Sequence, residues 1–368
     1  MRITDPPATP SLVIDGVRVR SNLQRLAQYA KQHDLLVRPH TKTHKSIQIA
    51  RLQLELGAIG LAVAKVGEAE VLSSAFLQDQ SDLLVAFPAL DSARVSRLAE
   101  LARSTQIRVA IDSSYSASAL ASAAGVANTR IGVLIDIDCG YHRTGVQSPQ
   151  AALELAQTVE QHPSLRLDGL FFFPGHLFVS PEQQAEALDQ LQQTLERIIN
   201  LWRAHGLEAA IVSGGSTPTA YLSHRVPALT EIRPGTYVYN DMNTVHGGYC
   251  EVDDCAAQVV CTVVSNAVPG KCVIDAGSKT LSSDPNATDP KNGFGYILEY
   301  PEAKIDRLTE EHGEVLLTNC DRKPQLGERL TVIPNHICVC VNLQESAWFR
   351  NEDATLQPFS IDAQHKLI

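Results

Sequence analysis

The chain has 368 residues, 44% hydrophobic and 20% charged, with a formal net charge of −10, which suits a globular protein of one large and one smaller domain. The acidic balance argues against nucleic acid or an anionic membrane as a partner, and no apolar run reaches the roughly 18 residues of a membrane span. The opening MRITDPPATPS lacks the apolar core of a signal peptide, so the expected location is the cytoplasm, and the eight cysteines, none in a CxxC pair, are expected mostly as reduced core thiols.

In chain order, SLVID (11–15) precedes the first helical pattern. Eight apolar runs follow, at 35–42, 59–66, 82–90, 107–112, 131–138, 167–174, 208–215 and 228–239, and segments of 3.6-residue periodicity separate nearly all of them. In the longest, PEQQAEALDQLQQTLERIINLWRAHG, the residues Leu188, Leu191, Leu195, Ile198 and Trp202 recur at three- and four-residue steps. That is a face to lay on a sheet, and Gly206 suits its C-cap. Only the last link, STPTAYLSHRVP, gives little helix. Strand and helix alternating eight times predict an α/β fold, a (β/α)8 barrel of TIM type over residues 16–245. The rival is an open doubly wound sheet, which the absence of GxGxxG after the first strand disfavours. Beyond this point the runs at 255–265, 271–278 and 329–343 are β-rich and joined by turn residues. They predict a mostly β C-terminal domain, 246–368, which residues 1–15 are expected to join.

In such a barrel chemistry sits where strands end. The first strand ends in RPHTKTHK, where alternation sets Arg38, His40, Lys42 and His44 on one face and Thr41, Thr43 and Lys45 on the other. With the first set at the mouth, Lys42 is the reactive lysine, because partial desolvation depresses a lysine's pKa enough for attack on a carbonyl. A solvated basic loop explains the motif equally well. The fifth strand ends in DCGYHRTGV, carrying Arg143. After the sixth, FFFPGHLF offers His176 as a base. The seventh ends in SGGSTPT, whose glycines let backbone N–H groups approach an anion and whose hydroxyls add donors. The eighth, EIRPGTYVYND, brings Arg233 and Tyr237. A strand-end lysine, a phosphate loop and two arginines suit pyridoxal phosphate, with phosphorylated-sugar aldolases as the rival on this fold. Farther on, PNHICVC places His336 and Cys338 two apart, on one side of the expected strand. Imidazole and thiolate make a zinc pair with positions left open, although a core cysteine beside a buried histidine is the commoner origin of HxC. Cys340 is either a third ligand or core, and His312 in TEEHG either approaches or caps a solvated turn.

Together TPSLVID, RPHTKTHK, GSTPT, RPGTYVYND, EEHG and PNHIC, in this order and across nearly the whole chain, resemble the D-threonine aldolase and D-serine dehydratase family, pyridoxal-phosphate enzymes with the alanine-racemase-like fold. The resemblance implies a homodimer and makes Lys42 the Schiff-base lysine, with Lys45 facing away. It places Ser213, Gly214, Gly215, Ser216 and Thr217 around the phosphate, Arg233 at the pyridine nitrogen and Arg143 at the phenolic oxygen, with His40 and Tyr237 in the same site. It gives His336 and Cys338 a divalent metal: zinc for a soft thiolate, manganese or magnesium where water or carboxylate dominates. Cys338, GSTPT and TEIRPGTY look like the dehydratases, AKVGEAE and DAGSK (with Lys279) like the aldolases. Pro174 stands where the aldolases have a histidine before the glycine, and His176 follows the glycine instead. The expected reaction is retro-aldol cleavage of a β-hydroxy-D-amino acid to glycine and an aldehyde. The alternative is dehydration of D-serine or 3-hydroxy-D-aspartate to a 2-oxo acid and ammonia, and a metal-free racemase is a remoter one.

Overall fold

The computed structural model describes residues 8–76 and 82–368, with Thr4 and Pro6; the rest of the segment 1–15 assigned above to the second domain lies outside the described residues. The chain forms two compact units. One comprises Arg25–Lys42, Ile47–Gly235 and Lys366–Ile368, the other Met1–Gln24, Thr43–Ser46 and Thr236–His365.

The chain opens with β1 (Ser11–Asp15) and α1 (Gly16–Gln32). The barrel strands follow: β2 (Leu36–Val37), β3 (Leu61–Val63), β4 (Asp82–Val85), β5 (Gln106–Ile111), β6 (Ile131–Ile137), β7 (Leu165–Phe172), β8 (Ile211–Gly214) and β9 (Glu231–Ile232). Between them lie α2 (Ile47–Glu55), α3 (Val66–Ala75), α4 (Ser92–Leu101), α5 (Ser114–Val126), α6 (Pro149–Glu160) and α7 (Pro181–Ala204). The sheet order is β2-β9-β8-β7-β6-β5-β4-β3, every pairing parallel. A parallel bridge between His40 and Ala62 brings the two edges together, which gives the expected TIM-type curl. All seven residues of β6 are buried, as in a parallel strand covered on both faces. The predicted stripe of α7 is buried at all five positions. Between β8 and β9 there is only a 3-10 turn, Ala220–Arg225.

Strand alternation fills the interior in layers. At the β2 and β9 level Arg38, 1% exposed, donates through Nε to Glu231 at 2.8 Å and through a terminal nitrogen to Asp82 at 2.9 Å. Arg108 bonds Asp82 and reaches Asp168 at 2.7 Å. Above this charged layer pack Ala62, Leu84, Ala110, Leu134 and Phe171. Two residues farther along their strands come Asp112 and Asp136, toward the ends where loops begin.

The alternation expected through RPHTKTHK stops at His40. The Thr41 hydroxyl donates to the Ala62 carbonyl at 3.1 Å and the Lys42 N–H to His40 Nδ1 at 3.3 Å. These bonds turn Thr41–Thr43 into a 3-10 helix, so the position of Lys42 comes from a turn and not from the pleat.

The second unit contains α8 (Met242–His246), β10 (Ala257–Ser265), β11 (Lys271–Ile274), α9 (Ser278–Leu281), β12 (Tyr296–Ile297), β13 (Lys304–Leu308), β14 (Gly313–Leu316), β15 (Arg329–Ile333), α10 (Ile337–Leu343), β16 (Ser346–Arg350) and β17 (Leu356–Ser360). Its sheet runs β13-β14-β11-β10-β1-β16-β17, with β15 on β10 and β12 on β15. SLVID pairs here, antiparallel to β10 and parallel to β16. The expected strand 329–343 ends at Ile333. Asp241 accepts the Ile337 N–H at 3.1 Å, and the chain enters α10. His336 and Cys338 therefore sit at a helix start and not on one side of a strand.

Candidate functional site

In the barrel unit, two cations converge on one aromatic ring. The half-buried Lys42 holds its ammonium 5.7 Å from the Phe173 ring centre, and the Arg143 guanidinium lies 4.8 Å from that centre and 5.0 Å from that of Tyr141. Both contacts fall within cation–π range.

Arg143 rides on a loop tied at several points. Ile137 bridges to Val146, whose N–H donates to the Asp136 carbonyl at 2.9 Å. The Asp138 carboxylate, its side chain 2% exposed, accepts from Gly140 N–H (2.9 Å) and His142 N–H (3.0 Å) and meets His142 Nδ1 at 2.7 Å. These bonds hold its pKa well below the usual carboxylate range against the opposing effect of burial. Gly145, at φ +106°, donates to Asp112 at 3.2 Å, and a Cβ there would collide with the Asp138 amide.

Arg233 is 4% exposed, stacks 3.7 Å from the centre of the Phe171 ring and donates to the Phe172 carbonyl. Its Nε has no hydrogen-bond partner. Burial lowers its pKa to about 10, with Glu231 and Asp136 opposing. Burial likewise raises Asp136 to about 6, against the Thr144 hydroxyl and Arg233. His40 is buried beside this face. His176 is exposed, and partial desolvation, aided by His142 and opposed by Asp138, lowers its pKa.

The SGGSTPT segment divides. The Ser213 hydroxyl is donated to Glu231 at 2.6 Å, so that side chain serves the charged layer. A Cβ on Gly214 would strike the Phe172 ring, and Gly215 takes φ +83°. The Ser216 N–H and hydroxyl bond the Thr219 hydroxyl at 3.0 and 3.2 Å, and Thr217 is nearly buried. A buried guanidinium nitrogen that lacks an acceptor, beside a strand-end lysine and a glycine turn, fits an anionic aromatic cofactor with a ring acceptor.

In the second unit His336 and Cys338 are half-buried. His336 Nδ1 lies 3.1 Å from the buried Asp241 carboxylate, and Cys338 Sγ lies 3.2 Å from the Thr43 hydroxyl and 3.8 Å from that of Thr236. The carboxylate fixes the ring through Nδ1, the kind of brace that metal-binding imidazoles use. Cys338 and then Asp241 raise His336 to about 11. The donor set thus fits a thiophilic divalent metal. Among the described residues no group of three or more His, Cys, Asp and Glu is placed to bind one. Cys340 is core: it is fully buried, its thiol donates to the Thr280 carbonyl at 3.0 Å, and burial pushes it up to about 12. His312 lies in an exposed turn. Tyr237 is buried in the 3-10 turn Thr236–Val238. Lys279 pairs with Glu311 on the surface at 2.6 Å.

The sequence reading missed Asp241 and the Asp138–His142 pair. The first had a signal: DMNT is a capping pattern, and Asp241 and Thr244 form a capping box on α8.

A parallel barrel with a strand-end lysine, continued by a β domain, is the alanine-racemase-like architecture. Residues 14–243 match the family model "Alanine racemase, N-terminal domain", and residues 256–349 match the family model "Putative serine dehydratase domain". The chain is 30% identical to the D-threonine aldolase of Arthrobacter sp over 92% of this chain and 87% of the relative. It is also 30% identical to the D-threo-3-hydroxyaspartate dehydratase of Delftia sp. (strain HT23), over 90% of each. The crystal structure of D-threonine aldolase from Filomicrobium marinum superposes with a TM-score of 0.90 at 27% identity, covering 98% of this chain and 97% of that one. The chain belongs to the D-threonine aldolase and D-serine dehydratase family of pyridoxal-phosphate-dependent lyases.

Proposed function

We propose that the protein cleaves a β-hydroxy-D-amino acid to glycine and an aldehyde. The barrel, 16–245, would bind the cofactor, and residues 1–15 with 246–368 would carry the metal pair. The observation that carries this reading is His176: an exposed histidine whose lowered pKa keeps it neutral near pH 7, as a base for a hydroxyl proton must be. Pyridoxal phosphate, when bound, spreads the negative charge that develops at the substrate Cα. A divalent metal on His336 and Cys338, zinc by the softness of the thiolate, would lower the pKa of the β-hydroxyl.

The chain's own residues do the rest. Lys42 would hold the cofactor through its ε-amine. Gly214, Gly215, Ser216 and Thr217 cradle the phosphate, with Ser213 contributing backbone. Arg233, whose Nε has no partner in the protein, would offer that N–H to the pyridine nitrogen. A guanidinium does not surrender its proton, so Arg233 would leave the pyridine nitrogen unprotonated and weaken the electron sink. Arg143 would reach the phenolic oxygen, and His40 and Tyr237 are the remaining proposed cofactor residues. His176 removes the β-hydroxyl proton. Dehydration is the second reading, favoured by Cys338 as ligand and by an equal identity to the Delftia dehydratase; there Lys42 would take the α-proton.

Product analysis with D-threonine, using protein loaded with pyridoxal phosphate and either zinc or manganese, tests the choice. Glycine plus acetaldehyde supports cleavage; 2-oxobutyrate plus ammonia overturns it in favour of dehydration. We also propose a cytoplasmic homodimer, for which sedimentation should return twice the 40.0 kDa chain mass. Among the described residues no helix is long and apolar enough to cross a membrane.

A further inference from the structure

The loop that carries Arg143 holds a second histidine with no role in the reaction above. The His142 side chain is 78% exposed, yet its Nδ1 is pinned 2.7 Å from an Asp138 carboxylate that is itself 2% exposed. Its backbone adopts φ +54°, a conformation that costs a non-glycine residue free energy and is kept where neighbours enforce it. Here the Asp138 carboxylate enforces it by also accepting the His142 N–H. The carboxylate fixes one tautomer, so Nε2 remains to exchange protons with the surroundings. Asp138 meets the ring at Nδ1, and His176, from the segment after β7, interacts with it electrostatically. His176 packs on the turn that His142 closes: its Nε2 lies 3.2 Å from the place a Cβ on Gly140 would take.

Resting on the lyase reading above, we infer that His142, steered by Asp138, carries protons between His176 and solvent. In cleavage the hydroxyl O–H bond breaks and its electron pair closes the aldehyde C=O. The Cα–Cβ pair stays with Cα, which takes a proton from solvent to become glycine. One proton is left on His176, and it must leave before the imidazole can act again. His142 accepts it at Nε2 and passes it to water or buffer. His142 acts through His176 and does not touch the substrate.

The test is steady-state cleavage of D-threonine by the holoenzyme at low buffer, wild type against His142→Gln, with graded imidazole. The expected result is a kcat about 10-fold lower in the variant, an unchanged KM, and recovery of kcat as imidazole rises. His142→Asn, which tolerates the left-handed backbone, should behave alike with its cofactor absorbance intact. Equal kcat at the lowest buffer, or a loss that imidazole does not restore, overturns the relay and leaves the lyase reading standing. No glycine or aldehyde from the wild type overturns both.

Discussion

Two side chains at the barrel mouth, His176 and Asp136, differ in how their protons are held, and each difference can be measured. His176 has its pKa lowered, chiefly by desolvation, so its basic form persists to lower pH than in a free imidazole. The cleavage rate should therefore stay level as pH falls through the ordinary histidine range near 6.5 and drop only below it. His176→Gln should abolish that limb and lower kcat by about 100-fold. Asp136 behaves in the opposite sense. Its pKa is raised to about 6, so the folded chain holds that proton more tightly than the unfolded one. Its contribution to stability is therefore full below about pH 4 and is lost as pH rises toward about 6. The loss is at most about 3 kcal/mol at 1.36 kcal/mol per unit. Denaturant unfolding of the cofactor-free protein should show Asp136→Asn gaining on the wild type between pH 4 and pH 7. Lys42 offers a spectroscopic test: Lys42→Ala should lose both turnover and the visible band of the lysine-bound cofactor.

At the scale of elements, what the sequence disclosed depended on whether the deciding contact was local. The α7 stripe was legible because a helix face repeats along its own chain; Leu195→Ala within it should cost about 2–5 kcal/mol by denaturant unfolding. The eight barrel strands were legible as apolar runs, although β2 and β9 are two residues each and shorter than their patterns. The turn at Lys42 was not, because the Ala62 carbonyl that ends the pleat belongs to a different strand. The helix at His336 was hidden for the same reason, since the carboxylate that starts it lies 95 residues upstream. Ser213 read as a phosphate donor until the position of Glu231 was known. The Arg143 loop depends on Gly145, whose φ of +106° and contact with the Asp138 amide exclude a side chain. Gly145→Ala should leave far-ultraviolet circular dichroism unchanged while weakening cofactor affinity about 10-fold or more.

For the molecule as a whole, the proposed cofactor residues other than Tyr237 fall in one unit, and the proposed metal pair falls in the other. Loading of the two should then be separable. Asp241→Asn should weaken metal retention about 10- to 100-fold by removing the brace on His336, measured as metal content after dialysis, while the cofactor band stays. The threading of the chain has one more consequence, felt during synthesis. The chain passes between units at 24/25, 42/43, 46/47, 235/236 and 365/366, and among the described residues β1 pairs with β10 and β16, with Val13 opposite Gln258 and Trp348. At roughly 5–20 residues per second, β1 waits after its own synthesis on the order of 10–50 s for β10 and longer for β16. The barrel strands emerge in the meantime. A nascent chain stalled near residue 245 should therefore present a barrel beside an unpaired, apolar SLVID, a natural handle for a ribosome-associated chaperone.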